Sequence, residues 1–312
     1  MAEEIAGEAR TNCLNCGAQL QGKYCLNCGQ AADSHRRTVW KLFDEFFEHL
    51  FDLDSRVLRT MWALIARPGE LSLAFRQGRR QRYVPPTRLY LFTSLALFVA
   101  IALSGLAILQ LEVTQPGKET GEAMLQYNNA KVRAVFFQPP LPPPEAIPEE
   151  FTRDIEAAQT ETGGDRVVAT IFTGILHAVK DPQTLNTQLT QWLPRLLFLL
   201  VPLLAILLAV FYHPKKFKAY FVDHVVMAMH LHTFLFVLLM AMLAAAPFVT
   251  GGWLPWALLG IMSVYSFVAL WRFYEQSPVW TGVKGFLVGI LYIVFLLFPG
   301  LGLVLAISLM HT

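Results

Sequence analysis

"LYLFTSLALFVAIALSGLAIL", residues 89–109, runs for 21 positions without a charge. A helix rises 1.5 Å per residue, so about 20 apolar residues cross the ~30 Å hydrocarbon core of a bilayer. The stretch therefore predicts a first transmembrane helix over Leu89–Leu109. Four further apolar runs lie at about 193–212, 222–249, 253–271 and 283–310. The expected fold class is an all-α polytopic membrane protein of about five transmembrane helices, carrying a small N-terminal ribbon. Composition agrees. The chain is 54% apolar and only 15% charged, where a soluble domain carries about 25% charge. The first 20 residues are acidic, small or polar, so no signal peptide is expected there.

Lys and Arg near the span ends set the expected orientation. Thirteen of them lie between the start and Arg88, and Lys215, Lys216 and Lys218 follow the second run. Arg272 and Lys284 flank the connection between the fourth and fifth runs, and the turn at 250–252 has none. The N-terminus is expected in the cytosol and the C-terminus outside. Residues 110–191 are then external, and their 11 acidic and six basic residues fit that side. "QPPLPPPEAIPEE" at the centre of this segment reads as a polyproline II spacer. Helical patches are expected on either side of it, over Ala123–Phe137 and Arg166–Val179. Pro299-Gly300 in the last run predicts a kink; the alternative is a re-entrant turn that would return the C-terminus to the cytosol.

Residues 1–35 form the ribbon. Cys13-x2-Cys16 and Cys25-x2-Cys28 are two knuckles separated by eight residues. Four thiolates at this spacing complete a closed tetrahedral site, the structural geometry of zinc. One structural zinc ion is the expected cofactor. Iron in the same tetrahedron, or a redox dithiol pair, is the alternative. Gly17 and Gly29 follow the knuckles and suit turns at positive φ. A segment this short buries no core, so metal binding supplies its folding energy. Four thiolates leave no open position for catalysis. Lys23 is the one Lys or Arg between Cys13 and Gln30 and the net charge is only +2, so nucleic acid is not an expected partner.

Residues 36–88 connect ribbon and membrane. "TVWKLFDEFFEHLF", residues 38–51, carries an aromatic stripe at helical spacing, and Val57, Leu58, Met61, Trp62 and Ile65 carry the next. Neither helix is long enough to span. Both suit the interface plane or a small bundle on the membrane domain. Arg76, Arg79, Arg80, Arg82 and Arg88 form a juxtamembrane basic cluster. It is read as topogenic, with attraction to anionic lipid as the further possibility.

Ionisable groups within a span default to a functional reading. "VDHVVMAMHLHTF" opens the third run and places Asp223, His224, His230 and His232 in the membrane. His230 and His232 point to nearly opposite sides of a helix. One straight helix therefore cannot gather all three histidines around one ion. An ion or proton site using some of them and a bland role in interhelical hydrogen bonding are both open. Arg272 is expected at the same membrane face as Asp223 and is a candidate ion-pair partner for it; snorkelling of Arg272 to the interface is the simpler alternative. No nucleophile elbow, P-loop, dinucleotide fingerprint or HExxH motif occurs.

The pattern of the two CG knuckles, "RPG", "GRRQRY-x-PP", a first span, "DHVVMAMHLHTF" and "WRFYEQS" resembles a bacterial membrane family known as domain of unknown function 3667, with an N-terminal zinc ribbon. The resemblance implies this architecture and a bacterial cytoplasmic (inner) membrane. It implies no activity and no catalytic residues. The expected function is non-enzymatic: the ribbon and amphipathic helices dock a protein partner or the membrane surface in envelope assembly, recruitment or regulation. The alternative is a transporter or ion/lipid translocator that uses the Asp223/His cluster. A membrane-embedded enzyme using those histidines ranks third.

Overall fold

The computed structural model describes residues 12–22, 24–31, 56–114, 125–127, 130–138, 198–212, 219–249 and 253–310. The aromatic stripe at 38–51, the Pro-rich spacer and the patch Arg166–Val179 lie outside them. Two compact units divide the chain. One comprises 1–96, 200–238 and 259–292, the other 97–199, 239–258 and 293–312.

Among the described residues four helices are long and apolar enough to cross a membrane: α3 (Pro86–Ser104), α5 (Phe221–Ala245, continued by a 3-10 turn to Phe248), α6 (Leu254–Tyr274) and α7 (Pro278–Met310), the last through its segment Pro278–Phe295. The apolar helix α4 (Phe198–Phe211) is shorter and falls in the second expected run. α7 stays helical for 33 residues straight through Pro299-Gly300, so no re-entrant turn forms there. It begins earlier than expected, at "SP". Pro278 takes the first helical position, and the Trp280 N–H reaches Ser277 Oγ at 3.5 Å. Proline at N1 and serine at the cap are both suited to a helix start.

In the first unit, α5 is the buried helix. Val226, Ala228 and Phe236 have no exposed surface. A short hairpin packs beside it. α1 (Val57–Ala66) and α2 (Glu70–Arg76) are joined by Arg67-Pro68-Gly69. α1 turns Thr60, Ala63 and Leu64 inward, while Leu58, Trp62 and Ile65 remain exposed. Small and medium side chains face protein, and the large apolar ones face outward, as suits a helix lying in lipid.

A helix end leaves carbonyls without intrahelical partners, and those groups are costly in an apolar medium. α6 supplies the donors. The Tyr265 hydroxyl donates to Leu64 O at 2.7 Å and Arg272 Nη1 donates to Pro68 O at 3.2 Å. Gly69 makes the turn possible. Its φ is +80°, and a Cβ there would sit 2.7 Å from Ala269 O and 3.1 Å from Ala269 Cα. Backbone thus lies on backbone, and no side chain can yield.

α2 ends in a Schellman motif. The Arg79 N–H bonds Ala74 O at 2.9 Å and the Gly78 N–H bonds Phe75 O at 3.0 Å, with Gly78 at φ +81°. The chain then runs through Pro85-Pro86 into α3.

The second unit departs from the expected helices. α3 stops at Ser104 rather than Leu109, and Gly105 turns at φ +64°. Residues after it pair as strands: β1 (Ala107–Thr114), β2 (Leu125–Tyr127) and β3 (Ala130–Gln138), antiparallel in the order β1-β3-β2. Leu109 faces Phe136 in the register, Leu111 faces Ala134 and Val113 faces Val132. Within the expected helix Ala123–Phe137, residues 125–127 and 130–137 are strand instead. The physical reason is a period of two: Val132, Ala134 and Phe136 alternate with Lys131, Arg133 and Val135. The membrane part itself remains all-helical.

Gly69→Ala should be among the most damaging single-methyl changes in the chain. Left-handed strain and a backbone clash together predict a cost of about 2–4 kcal/mol. Unfolding in detergent, compared with Gly260→Ala, where a Cβ meets nothing within 4 Å, checks this.

Candidate metal centre and buried polar network

The ribbon is a short internal repeat, "CLNCG" twice, and each copy folds alike. Gly17 N–H bonds Cys13 O and Gly29 N–H bonds Cys25 O, both at 2.8 Å. Cys13 N–H bonds Ala18 O and Cys25 N–H bonds Gln30 O, also at 2.8 Å. One-residue β-bridges close the copies at Asn12–Gln19 and Tyr24–Ala31. The four Sγ atoms lie within 4.8 Å of one another. Cys13–Cys28 and Cys16–Cys25 Sγ pairs are 3.6 Å apart, near the ~3.8 Å edge of a tetrahedron with 2.3 Å metal–sulfur bonds. The donor set fits one tetrahedral metal ion. Among the described residues these cysteines are the group placed to hold one.

The thiols are not equivalent. The backbone at Ala18 pulls Cys16 down to about 6, while burial pushes Cys28 up to about 11. Metal binding to a thiol requires loss of its proton. At neutral pH Cys28 must release one on binding. Affinity should therefore fall as pH falls, and fall more steeply below about pH 6, where Cys16 protonates as well. Competition with a chromophoric chelator from pH 5 to 8 measures this; a flat profile would contradict the assignment. Cys13→Ser should lose the metal in elemental analysis.

The ribbon is fastened to the chain's own juxtamembrane turn. Gln30 Nε2 donates to Gly78 O at 2.7 Å, and Arg80 N–H donates to Gln30 Oε1 at 3.2 Å. One side-chain amide thus bridges the backbone on both sides of Arg79. The Schellman turn presents these groups, so Gly78 serves the clamp as well as the helix end.

The intramembrane residues diverge. His224 Nδ1 meets the Tyr274 hydroxyl of α6 at 2.6 Å. His230 Nδ1 meets Ser72 Oγ of α2 at 2.8 Å. His232 Nδ1 lies 2.8 Å from its own Ala228 O, and its Nε2 lies 2.8 Å from the Tyr292 hydroxyl of α7. A carbonyl only accepts, so the neutral ring is protonated at Nδ1 and accepts from Tyr292 at Nε2. Each histidine bonds to a different element, and among the described residues no three of these groups converge on one ion. Tyr274 also stacks on Tyr212 at 3.7 Å, and Lys284 Nζ lies 4.9 Å over the Tyr212 ring.

Asp223 does not take Arg272 as its partner. Its Oδ2 accepts the Tyr220 N–H at 2.8 Å, the back-bond of a capping box at the start of α5. Arg272 donates instead to Pro68 O in the hairpin's turn. The ion pair joining α6 to its neighbour is Arg76–Glu275 at 3.0 Å.

The five juxtamembrane arginines are not a loose patch. Arg76 lies over Phe273, Arg80 over Phe75, Arg82 over Tyr83 and Arg88 over Phe92, at 4.6 to 5.6 Å. Arg79 bonds Gln77 at 2.5 Å and sits 3.6 Å from Glu70. Aromatic residues interleaved with arginines in 75–92 were the sequence signal for this stacking. Gln30, Ser72, Tyr265, Tyr274 and Tyr292 were missed. For the tyrosines a signal existed: a hydroxyl inside a span needs a partner.

Residues 54–98 match the family described as a protein of unknown function, DUF3667. That stretch holds α1, the Gly69 turn, α2, the Schellman turn and the first part of α3. No curated protein matches the chain, and no solved structure does.

A double-mutant cycle of His232→Phe and Tyr292→Phe should give a coupling of about 0.6 kcal/mol, and no more than ~1.7, as interhelical hydrogen bonds do in membranes. Strict additivity would show that the pair is not an interaction.

Proposed function

We propose that this is a non-enzymatic membrane scaffold whose metal ribbon, held at the basic end of the helices, recruits a protein partner. The ion is zinc in this reading, the membrane is a bacterial inner membrane, and the ribbon end faces the cytosol. The observation that carries it is the Gln30 clamp, which holds the ribbon against the juxtamembrane turn while leaving its outer face free. Leu26 is 81% exposed and Tyr24 63%, with Leu14 at the matching position of the other knuckle also exposed. Apolar side chains on a metal-rigidified turn can serve as anchors for a protein interface. The closed thiolate site also leaves no coordination position for a substrate.

The test is affinity purification of the full chain in mild detergent, beside Leu14→Ser/Leu26→Ser and His230→Ala/His232→Ala variants. A specific co-purifying protein lost only with the leucine changes supports recruitment. An unchanged set of co-purifying proteins, with cellular function lost only in the histidine variant, would overturn recruitment in favour of transport.

A further inference from the structure

A cavity of about 40 Å³ lies where α2 gives way to α3, lined by Leu71, Phe75, Arg79, Arg80, Tyr83 and Val84, with Pro85, Pro86 and His230 completing it. One water needs roughly 10–15 Å³ by this measure, so the space takes a polyatomic group rather than a single solvent molecule. Its lining has two guanidinium groups and no carboxylate. Arg79 Nε is buried without a hydrogen-bond partner among the described residues. Its Nη2 is bound to Gln77 and ion-paired with Glu70 at 3.6 Å, so the head is oriented while Nε remains unused. The cavity is partly open to the outside.

The geometry points to a discrete binding site for a phosphate group in this cavity, with Arg79 as its principal donor and Arg80 as supporting charge. A buried guanidinium donor without an acceptor is costly, and an oxyanion removes that cost by a charge-assisted bond. Arginine suits phosphate because its donors form a planar fork. The position selects the same chemistry. Pro85-Pro86 open α3, so the cavity lies beside the start of an apolar helix of span length, where a phosphate-bearing headgroup would meet it. A lipid headgroup and free phosphate share this chemistry. The site is independent of what the ribbon recruits, and it differs from diffuse attraction of anionic lipid to the whole arginine cluster. Arg82, exposed and outside the lining, has the same charge without the cavity.

The full chain in a neutral detergent would be treated with phenylglyoxal, which modifies guanidinium groups, and the modified peptides quantified. The probes are inorganic phosphate and a short-chain phosphatidylglycerol, added separately. Protection of Arg79 by at least tenfold with one of them, while Arg82 reacts as before, supports the site, and the protecting probe names the source. Equal protection of Arg79 and Arg82, or none at either, overturns it. Arg79→Gln should weaken binding of the protecting probe at least tenfold, and Arg82→Gln should not. The protection assay uses the unaltered chain, so it decides the question even if Arg79→Gln fails to fold.

Discussion

A helix that is buried in a membrane protein and also carries three histidines has a problem that its length and hydropathy do not reveal. Each imidazole brings polar nitrogens into surroundings that offer no water. Each must find a partner on a neighbour or lose the free energy of an unmade hydrogen bond. α5 meets this constraint by directing its histidines outward along different lines: His224 to α6, His230 to α2 and His232 to α7. The neighbours are thereby fixed in rotation as well as in distance. Apolar packing alone would tolerate a slip of either kind, because lipid and leucine are nearly equivalent to a helix surface. Directional bonds do not tolerate it.

The hairpin of α1 and α2 follows from the same rule, applied to the backbone. It can lie beside α5 and α6 only if its turn has no unpaired carbonyls. Tyr265 and Arg272 supply the donors, and Gly69 allows the approach that brings them within reach. Ser72 is then placed to bond His230. Three residues that look unrelated in the chain, one glycine, one tyrosine and one serine, are conditions of one packing arrangement. That the family match covers 54–98 fits this view, since those residues hold the hairpin and its exit rather than the ribbon.

Much of this was legible in the sequence, and the limits have physical causes. Span-length apolar runs mark helices well because 20 residues of uninterrupted hydropathy have few other stable solutions. The knuckles were legible because thiolate spacing is set by tetrahedral coordination. The divergence of His230 and His232 followed from 3.6 residues per turn. Hydropathy cannot mark where a span ends when strand residues are equally apolar, which is why α3 was carried on to Leu109 and β1 was missed. The Asp223–Arg272 pairing was reasonable from membrane depth alone. Depth says nothing of a third element that competes for the guanidinium, and Pro68 O is that competitor.

The clamp and the cavity meet on three consecutive residues, 78 to 80. Gln30 holds the backbone at Gly78 and Arg80, and the residue between them is Arg79, whose head lines the cavity. The Schellman turn fixes all three, since Gly78 at φ +81° sends the chain back on itself. A metal ion on the four cysteines would therefore set a rigid side chain, Gln30, on the strap that carries Arg79. Without such an ion the knuckles would have no core of their own to position Gln30. The strap would keep its helix-end bonds to Ala74 and Phe75 and lose its outer restraint. The physical coupling thus runs from the ribbon inward: thiolates to knuckle, knuckle to Gln30, Gln30 to the turn, and the turn to Arg79.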